Sequence, residues 1–368
     1  MKVVIVGGGI IGLSIARELK KTAPGTEVVV IERATPGDEA SMAAGGILGP
    51  QFESEKPGPF LDFATASRAM WPKFAAEVQQ ESGLDVAYLS CGALQLAFTD
   101  DEVHALDAKV SWQQAVHLRA TLLGAAELAA KEPQLSKAAL AAAEFPDDHQ
   151  LDPRLFLPAL HRAATKAGVS VERATARALI TEGGKVKAVE LEGGSIVRGD
   201  LVVLAAGAWS GQLAAALIPA PARLEPRRGQ MLELKVAAPP TQRLIKSSGG
   251  YVISRADGHV VVGSTMEDVG FDKSVTPAGL KKLLDAAMLM VPSLATASLT
   301  RTWAGLRPWT DDQLPWLGEG PAGLVLATGH FRNGILLAPI TARVVGQLVR
   351  GERPTHDLRP FRYERPRA

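Results

Sequence analysis

Residues 1–20 read MKVVIVGGGIIGLSIARELK, and their pattern predicts a strand, a glycine turn and a helix. The apolar run Lys2–Val6 suits a strand buried on both faces, and residues 10–21 have the apolar spacing of a helix. A second apolar run, Glu27–Glu32, predicts the next strand. The chain therefore opens with the βαβ unit of a doubly wound, Rossmann-like parallel sheet.

The glycines of this turn have the spacing Gly7-x-Gly9-x-x-Gly12. Small residues at these positions let the backbone and the helix N-terminus approach a pyrophosphate. Glu32 lies at the end of the second strand, where an acidic side chain can accept hydrogen bonds from a ribose. The combination predicts a dinucleotide site, although it does not separate FAD from NAD. The alternative is a glycine turn used for helix packing, with Glu32 on the surface.

The later elements predict two domains, one inserted into the other. Residues 35–59 lack periodicity and are predicted to form a long functional loop, whereas residues 60–82 and 101–130 have helical patterns. Asp152 is predicted to cap a helix that stops at Gly168. These patterns predict a mainly helical stretch between the opening unit and the middle of the chain.

Short alternating strands are predicted at residues 231–236, 251–255 and 259–263, which indicates an antiparallel sheet. A buried strand at 324–328 and a helix at 335–350 then return to the first pattern. The predicted class is α/β, with a doubly wound domain and an inserted α+β substrate domain that contains the antiparallel sheet. The expected limits are 1–85, 150–220 and 312–368 for the doubly wound domain, and 86–149 and 221–311 for the inserted one.

Composition excludes several other classes of protein. Forty Lys and Arg against 39 Asp and Glu leave a net charge of +1, which gives no general attraction for nucleic acid or an anionic membrane. The single cysteine, Cys91, excludes an internal disulfide and a cysteine zinc site and fits the cytoplasmic location that we expect. The seven histidines lack metal-ligand spacing, and glycines and prolines interrupt the longest uncharged stretch, residues 201–222. We therefore expect no metal, no nucleic acid and no transmembrane segment.

Two later segments favour FAD. Residues 201–210 read LVVLAAGAWS, a buried strand that ends in a tight turn, and residues 329–335 read GHFRNGI and lead into the last helix. A helix N-terminus beside a flavin pyrimidine ring would stabilise the anionic reduced form. By composition alone, each segment could equally be an ordinary strand-to-helix turn.

Five segments of the chain resemble motifs of the D-amino-acid-oxidase-like family of FAD-dependent oxidoreductases. They are VVIVGGGIIGLSIA, SMAAGGILGP, LVVLAAGAWS, RTWAGLRPWT and ATGHFRNGILLAP, and they occur in the family's order over nearly the whole chain. Within the family the resemblance is to the bacterial glycine oxidases of thiamine biosynthesis. It implies that the doubly wound domain binds FAD.

The resemblance also implies which residues contact FAD. Glu32 and Arg33 would hold the ribose side, and the loop at Ser41 would lie along the pyrophosphate and flavin. The implied cofactor residues are Gly7, Gly9, Ile10, Ile11, Gly12, Glu32, Arg33, Ser41, Ala43, Ala44, Gly45, Gly46, Ala206, Gly207, Trp209, Gly329, His330, Arg332, Asn333, Gly334 and Ile335. Relatives with covalent flavin often carry a cysteine after the GLRP-like region, where this chain has Asp311, Asp312 and Gln313, so noncovalent FAD is expected.

For the substrate, the resemblance implies that Arg307 of GLRP pairs with the carboxylate, which a guanidinium can bind through two hydrogen bonds. Tyr251 would help hold that carboxylate, Met266 would line the pocket, and Arg332 would lie near flavin and substrate. Without the family, Arg307 could be a surface ion-pair residue, Tyr251 and Met266 core residues of a sheet, and Arg332 a structural hydrogen bonder.

The chain departs from the family pattern at three places that affect the pocket. Gly249 stands where the glycine oxidases keep a histidine, Trp309 replaces the usual glycine after GLRP, and the SMAAGGILGP loop is one residue longer. These departures concern the size and identity of the substrate rather than the flavin.

The implied reaction is oxidation of glycine, sarcosine or a small D-amino acid by hydride transfer from Cα to flavin N5. Oxygen would then be reduced to hydrogen peroxide, and the imine could supply thiamine thiazole synthesis. The alternative is a D-amino-acid, proline or hydroxyproline dehydrogenase with an acceptor other than oxygen. More distant readings are a flavin-binding partner protein without turnover and an NAD-dependent dehydrogenase. Family analogy favours a homo-oligomer.

Overall fold

The computed structural model describes residues 1–218 and 222–366. The predicted domain boundary at 220 and the chain end at 367–368 lie outside the described residues. The helices are α1 Ile10–Thr22, α2 Ala40–Ala43, α3 Pro50–Glu53, α4 Pro59–Ser82, α5 Asp100–Ala115, α6 Ala125–Lys131, α7 Pro153–Lys166, α8 Ser210–Ala214, α9 Pro277–Met290 and α10 Gly334–Val349.

The strands are β1 Lys2–Val6, β2 Glu27–Glu32, β3 Ile47–Leu48, β4 Ala93–Ala97, β5 Thr121–Gly124, β6 Ala141–Phe145, β7 His149–Gln150, β8 Ser170–Arg173, β9 Ala176–Glu182, β10 Lys185–Leu191, β11 Ile196–Arg198, β12 Leu201–Leu204, β13 Leu224–Lys235, β14 Leu244–Ser247, β15 Gly250–Ser254, β16 His259–Gly263, β17 Ser298–Thr310, β18 Trp316–Glu319 and β19 Leu324–Thr328. Short 3-10 turns lie at Gly207–Trp209, Pro292–Thr296 and Arg359–Phe361.

A six-stranded sheet in the order β18-β19-β12-β1-β2-β8 is the core of the first layer. Its strands are parallel except for the edge strand β18. Val3 and Ile5 of β1 pack on the side of the helices α1, α4, α7 and α10, and Val4 and Val6 face the small sheet β11-β10-β9. Burial on both faces explains why this strand is an unbroken apolar run. The predicted doubly wound fold is confirmed.

An eight-stranded sheet in the order β17-β13-β16-β15-β14-β4-β6-β5 forms the second layer. Its longest pairing joins β13 and β17 along their whole length, from Leu224 opposite Thr310 to Lys235 opposite Ser298. The predicted antiparallel character holds for every pair except β4 and β14, which are parallel. The exact limits of the two domains stay a prediction.

Two predicted segments were wrong in part. The helical pattern over 101–130 is broken by the strand β5, because pairing with β6 outweighs the local propensity of Thr121–Gly124. The predicted loop 35–59 contains two single-turn helices and the bridge strand β3. Within the described ranges, no helix combines the length and apolarity needed to cross a bilayer.

Candidate functional site

One cavity of about 580 Å³ extends from the carboxyl ends of β1, β2 and β12 to the face of the second sheet at β13, β15 and β17. Such a position, beyond the carboxyl ends of parallel strands, is where doubly wound folds bind ligands. Every residue predicted to contact cofactor or substrate lines this cavity, except Gly12 and Met266. The sequence motifs therefore meet in one place although they lie far apart along the chain.

The glycine turn brings the start of α1 against the sheet. Gly7 has a φ of +108°, and a Cβ there would collide with the carbonyl oxygen of Ala205. A Cβ on Gly12 would overlap the carbonyl oxygen of Gly7, so this glycine allows helix packing without lining the cavity. Gly9 caps α1 with no side-chain hydrogen bond, and the N–H of Ile10 donates to Ser41 Oγ at 3.0 Å. The first turn of α1 thus presents backbone N–H groups to the cavity.

Glu32 is held in place by the backbone around it. Its Oε2 accepts from the N–H of Gly8 at 2.8 Å, and its Oε1 accepts from the N–H of Ala34 at 3.0 Å. The carboxylate is therefore fixed at the end of β2 and faces the cavity, where its remaining lone pairs can accept ribose hydroxyls.

Aromatic and charged side chains surround this same end of the cavity. The Arg33 guanidinium lies over the Trp209 ring, 3.6 Å from its centroid, and pairs with Glu39 at 2.5 Å. Lys273 of the second layer also reaches Glu39, at 3.1 Å. Sequence reasoning missed Glu39 and the lining segment 174–177, because neither carries a recognisable motif.

A second helix N-terminus meets the cavity at α10. Asn333 caps this helix without a side-chain hydrogen bond, and Gly334 and Ile335 line the cavity. The preceding His330 is buried, and its Nε2 lies 3.1 Å from Thr341 Oγ1. Burial lowers the pKa of His330 to about 3, so this imidazole is neutral near pH 7. The positive charge at this end comes from the helix dipole and from Arg332 rather than from the histidine.

Arg307 enters the far end of the cavity from β17. Its guanidinium donates to Ser264 Oγ at 2.6 Å and to the carbonyl oxygen of Thr265 at 3.1 Å, so both partners are neutral. Gly229 of β13 pairs with Gly305 of β17, and a Cβ on Gly229 would occupy the place of the Arg307 guanidinium. Burial lowers the pKa of Arg307. No carboxylate of the described chain lies within 4.0 Å of it, so its charge lacks a direct ionic partner.

Tyr251 of β15 lies beside Arg307. Its hydroxyl donates to Met231 Sδ at 3.3 Å, a weak acceptor, and burial raises its pKa. Gly45 leaves room for the ring, since a Cβ there would lie 3.2 Å from the hydroxyl. We call the part of the cavity formed by Tyr251, Ser264, Arg307, Arg332 and Glu53 the substrate end.

Sequence reasoning missed Ser264 of this end and also Glu53. Glu53 ends the single-turn helix α3, and its Oε2 lies 3.3 Å from Arg332 Nε.

Met266 does not belong to this end, because its side chain is 51% exposed and does not line the cavity. The chain leaves the sheet after β16. Ser264 and the carbonyl of Thr265 accept hydrogen bonds from Arg307, and Thr265 Oγ1 accepts from the N–H of Gln230 in β13 at 2.9 Å, whereas the next side chain, Met266, falls on the outer side. The expectation that Met266 lines the pocket does not match this geometry.

These features fit FAD. A fixed carboxylate suits the ribose, the start of α1 suits the pyrophosphate, and the start of α10 suits a ring that carries negative charge when reduced. The cavity volume falls within the usual range of about 300–1,000 Å³ for small-molecule sites. The residues that would hold FAD are therefore the glycine turn, Glu32, the loop at Ser41 and residues 329–335.

Comparison with known proteins gives the same answer. Glycine oxidase of Geobacillus kaustophilus is 33% identical over 363 residues, which cover 98% of this chain and 95% of that protein. Its crystal structure superposes with a TM-score of 0.94 at 32% identity and covers 100% of this chain and 99% of the other. The bifunctional protein ThiO/ThiG of a Synechocystis species is 35% identical over 99% of this chain, which spans only 54% of its length. The family description "FAD dependent oxidoreductase" matches residues 2–348, and the chain belongs to this FAD-dependent oxidoreductase family.

Proposed function

We propose that this chain oxidises a small amino acid or amine, such as glycine, sarcosine or a small D-amino acid, to the corresponding imine. The observation that carries the proposal is Arg307, a guanidinium at the substrate end whose direct partners are a hydroxyl and a carbonyl. A substrate carboxylate would supply the missing negative charge through paired N–H···O bonds. The likeness to glycine oxidases over nearly their whole length supports this choice of substrate.

The chain's own residues would act mainly by orientation. Arg307 and Tyr251 would hold the carboxylate, which restricts the position of the substrate Cα relative to residues 329–335. FAD, when bound, supplies an acceptor for the hydride of Cα and passes the two electrons to oxygen, giving hydrogen peroxide. The amine must be neutral for its lone pair to form the C=N bond of the imine. No protein base is required for that step, and neutral His330 bonded to Thr341 fits this account.

The remaining parts of the proposal rest on the resemblance. We propose noncovalent FAD, a homo-oligomer in the cytoplasm, and delivery of the imine to thiazole formation in thiamine biosynthesis. The similarity to the bifunctional protein ThiO/ThiG supports the last of these.

The test is turnover by the purified yellow protein. Peroxide would be measured in air against glycine, sarcosine, D-alanine, D-proline and hydroxyproline, and flavin bleaching would be followed in parallel without oxygen. Turnover of glycine or sarcosine with peroxide is the expected result. Bleaching without peroxide, or preference for the cyclic substrates, would instead identify a dehydrogenase of D-amino acids, proline or hydroxyproline.

A further inference from the structure

Glu53 is an anionic group placed where the substrate binds. Its side chain is 11% exposed, and Oε2 is buried with no hydrogen-bond partner apart from the ionic contact with Arg332 at 3.3 Å. The helix α3 that carries Glu53 is anchored by a hydrogen bond, in which the N–H of Phe52 donates to buried Asp148 at 2.9 Å. Asp148 in turn pairs with Arg68 at 2.9 Å. A buried network therefore fixes the backbone next to Glu53, whose carboxylate lies at the substrate end.

The surroundings keep Glu53 ionised. Two ammonium groups lie behind α3, since Lys246 Nζ and Lys109 Nζ both donate to the carbonyl oxygen of Phe52 at 3.2 Å. Burial by itself would raise the pKa of Glu53, but the fields of Lys246, Arg332, Lys109 and Arg307 hold it below its usual value. At neutral pH the substrate end thus contains a carboxylate that belongs to the protein.

The two arginines of the substrate end consequently differ. Arg332 has Glu53 as its ionic partner, whereas Arg307 has only neutral partners. One guanidinium remains for one substrate carboxylate. A second carboxylate on the substrate would meet the carboxylate of Glu53, and repulsion between like charges is strong where the groups are largely buried.

We propose that Glu53 is a specificity residue that restricts this site to substrates with one carboxylate, by neutralising Arg332 and repelling a second carboxylate. The inference rests on the proposed function only in that it places the substrate carboxylate at Arg307. It concerns the charge of the ligand, and it can be tested with ligands that are not oxidised.

The test compares two pairs of compounds that differ by one carboxylate. Methoxyacetate and oxydiacetate are ethers and lack an amine, so their binding can be titrated through the absorbance of the bound flavin. Sarcosine and iminodiacetate are the corresponding amines, and their kcat/KM values can be measured by peroxide release and by anaerobic bleaching. Glu53→Gln removes the charge and keeps the shape. Glu55→Gln is the matched control, because Glu55 is exposed, does not line the cavity and pairs only with Lys109 at 3.5 Å.

In Glu53→Gln that retains FAD, the affinity ratio of oxydiacetate to methoxyacetate should rise about tenfold or more, with a parallel rise for iminodiacetate over sarcosine. In the control Glu55→Gln, both ratios should stay within about twofold of the wild-type values. Arg332→Gln should move the ratios the other way, because it leaves Glu53 without its partner. This second variant keeps the test decisive if Glu53→Gln fails to fold.

Unchanged ratios in Glu53→Gln, or a ratio in Arg332→Gln that does not fall, would overturn the proposal. Failure of the proposed function would look different. The wild type would then turn over neither amine, while the ratio of the two ethers would still respond to Glu53→Gln.

Discussion

Replacing Arg307 by alanine is the sharpest perturbation of the proposed substrate site. The Arg307 side chain makes two hydrogen bonds to neutral groups and has no direct ionic partner. Its removal therefore breaks no ion pair within the protein. A substrate carboxylate would lose two charge-assisted hydrogen bonds, each worth about 1.5–3 kcal/mol. Taking about 3 kcal/mol as the lower total, kcat/KM for glycine or sarcosine should fall at least about 10²-fold.

The assay is steady-state peroxide release, combined with the flavin absorbance of the purified variant. FAD should be retained, because Glu32, α1 and the start of α10 are untouched. Arg301→Ala is the matched control, since Arg301 lies on the same strand β17 but is exposed and lies over the Trp303 ring. Arg307→Lys should recover only part of the loss, because an ammonium lacks the two-pronged geometry. If Arg307→Ala retained its full FAD content and the wild-type kcat/KM, Arg307 would have no role in substrate binding.

Three other outcomes are expected. Gly12→Ala should destabilise the protein by about 1–3 kcal/mol and lower its FAD content, since the new methyl group overlaps backbone, whereas Gly25→Ala has open space and should change neither the melting temperature nor the flavin content. Burial lowers the pKa of His330 to about 3, against 6.5 in the unfolded chain. Below pH 6.5 the unfolded chain therefore takes up a proton that the folded protein does not, so the free energy of unfolding is highest above pH 6.5 and falls as the pH is lowered towards 3. At pH 5 the loss is about 2 kcal/mol, and urea unfolding of His330→Gln should lack this part of the pH dependence; an identical dependence in both proteins would contradict the buried neutral imidazole. Tyr251→Phe should raise KM about tenfold with little change in kcat, because the substrate carboxylate would lose one hydrogen bond while the rest of the site is unchanged, and an unaltered KM would exclude the hydroxyl from carboxylate binding.

Sequence patterns were sufficient for the parallel sheet and the cofactor end of the cavity. The strands β1 and β2 are continuous apolar runs because both of their faces are buried, and the glycines between β1 and α1 are needed where backbone meets backbone. Both are local requirements. They leave a readable trace in consecutive residues, which is why the turn, Glu32 and the start of α10 could be predicted.

The second sheet was only partly predictable. The strands β13, β15 and β16 show alternation, but β5 lies in the segment 101–130 with a helical pattern, and β4 and β6 carried no strand prediction. All three become strands by pairing with other strands. Pairing energy of this kind depends on which neighbour is present, and a single segment does not contain that information.

The sequence by itself predicted the class of fold, FAD as the cofactor and Arg307 as the residue that would bind the substrate carboxylate, because each rests on a contiguous motif that resembles those of the family. Tertiary structure alone decided that Glu53 rather than Glu55 faces the substrate end, that Arg332 has an anionic partner, and that Met266 lies outside the cavity. Glu53 and Glu55 are two positions apart in a segment of the sequence without periodicity, and both are acidic. In the structure α3 is anchored on Asp148 through the N–H of Phe52, and the adjacent Glu53 lines the cavity, whereas Glu55 is exposed.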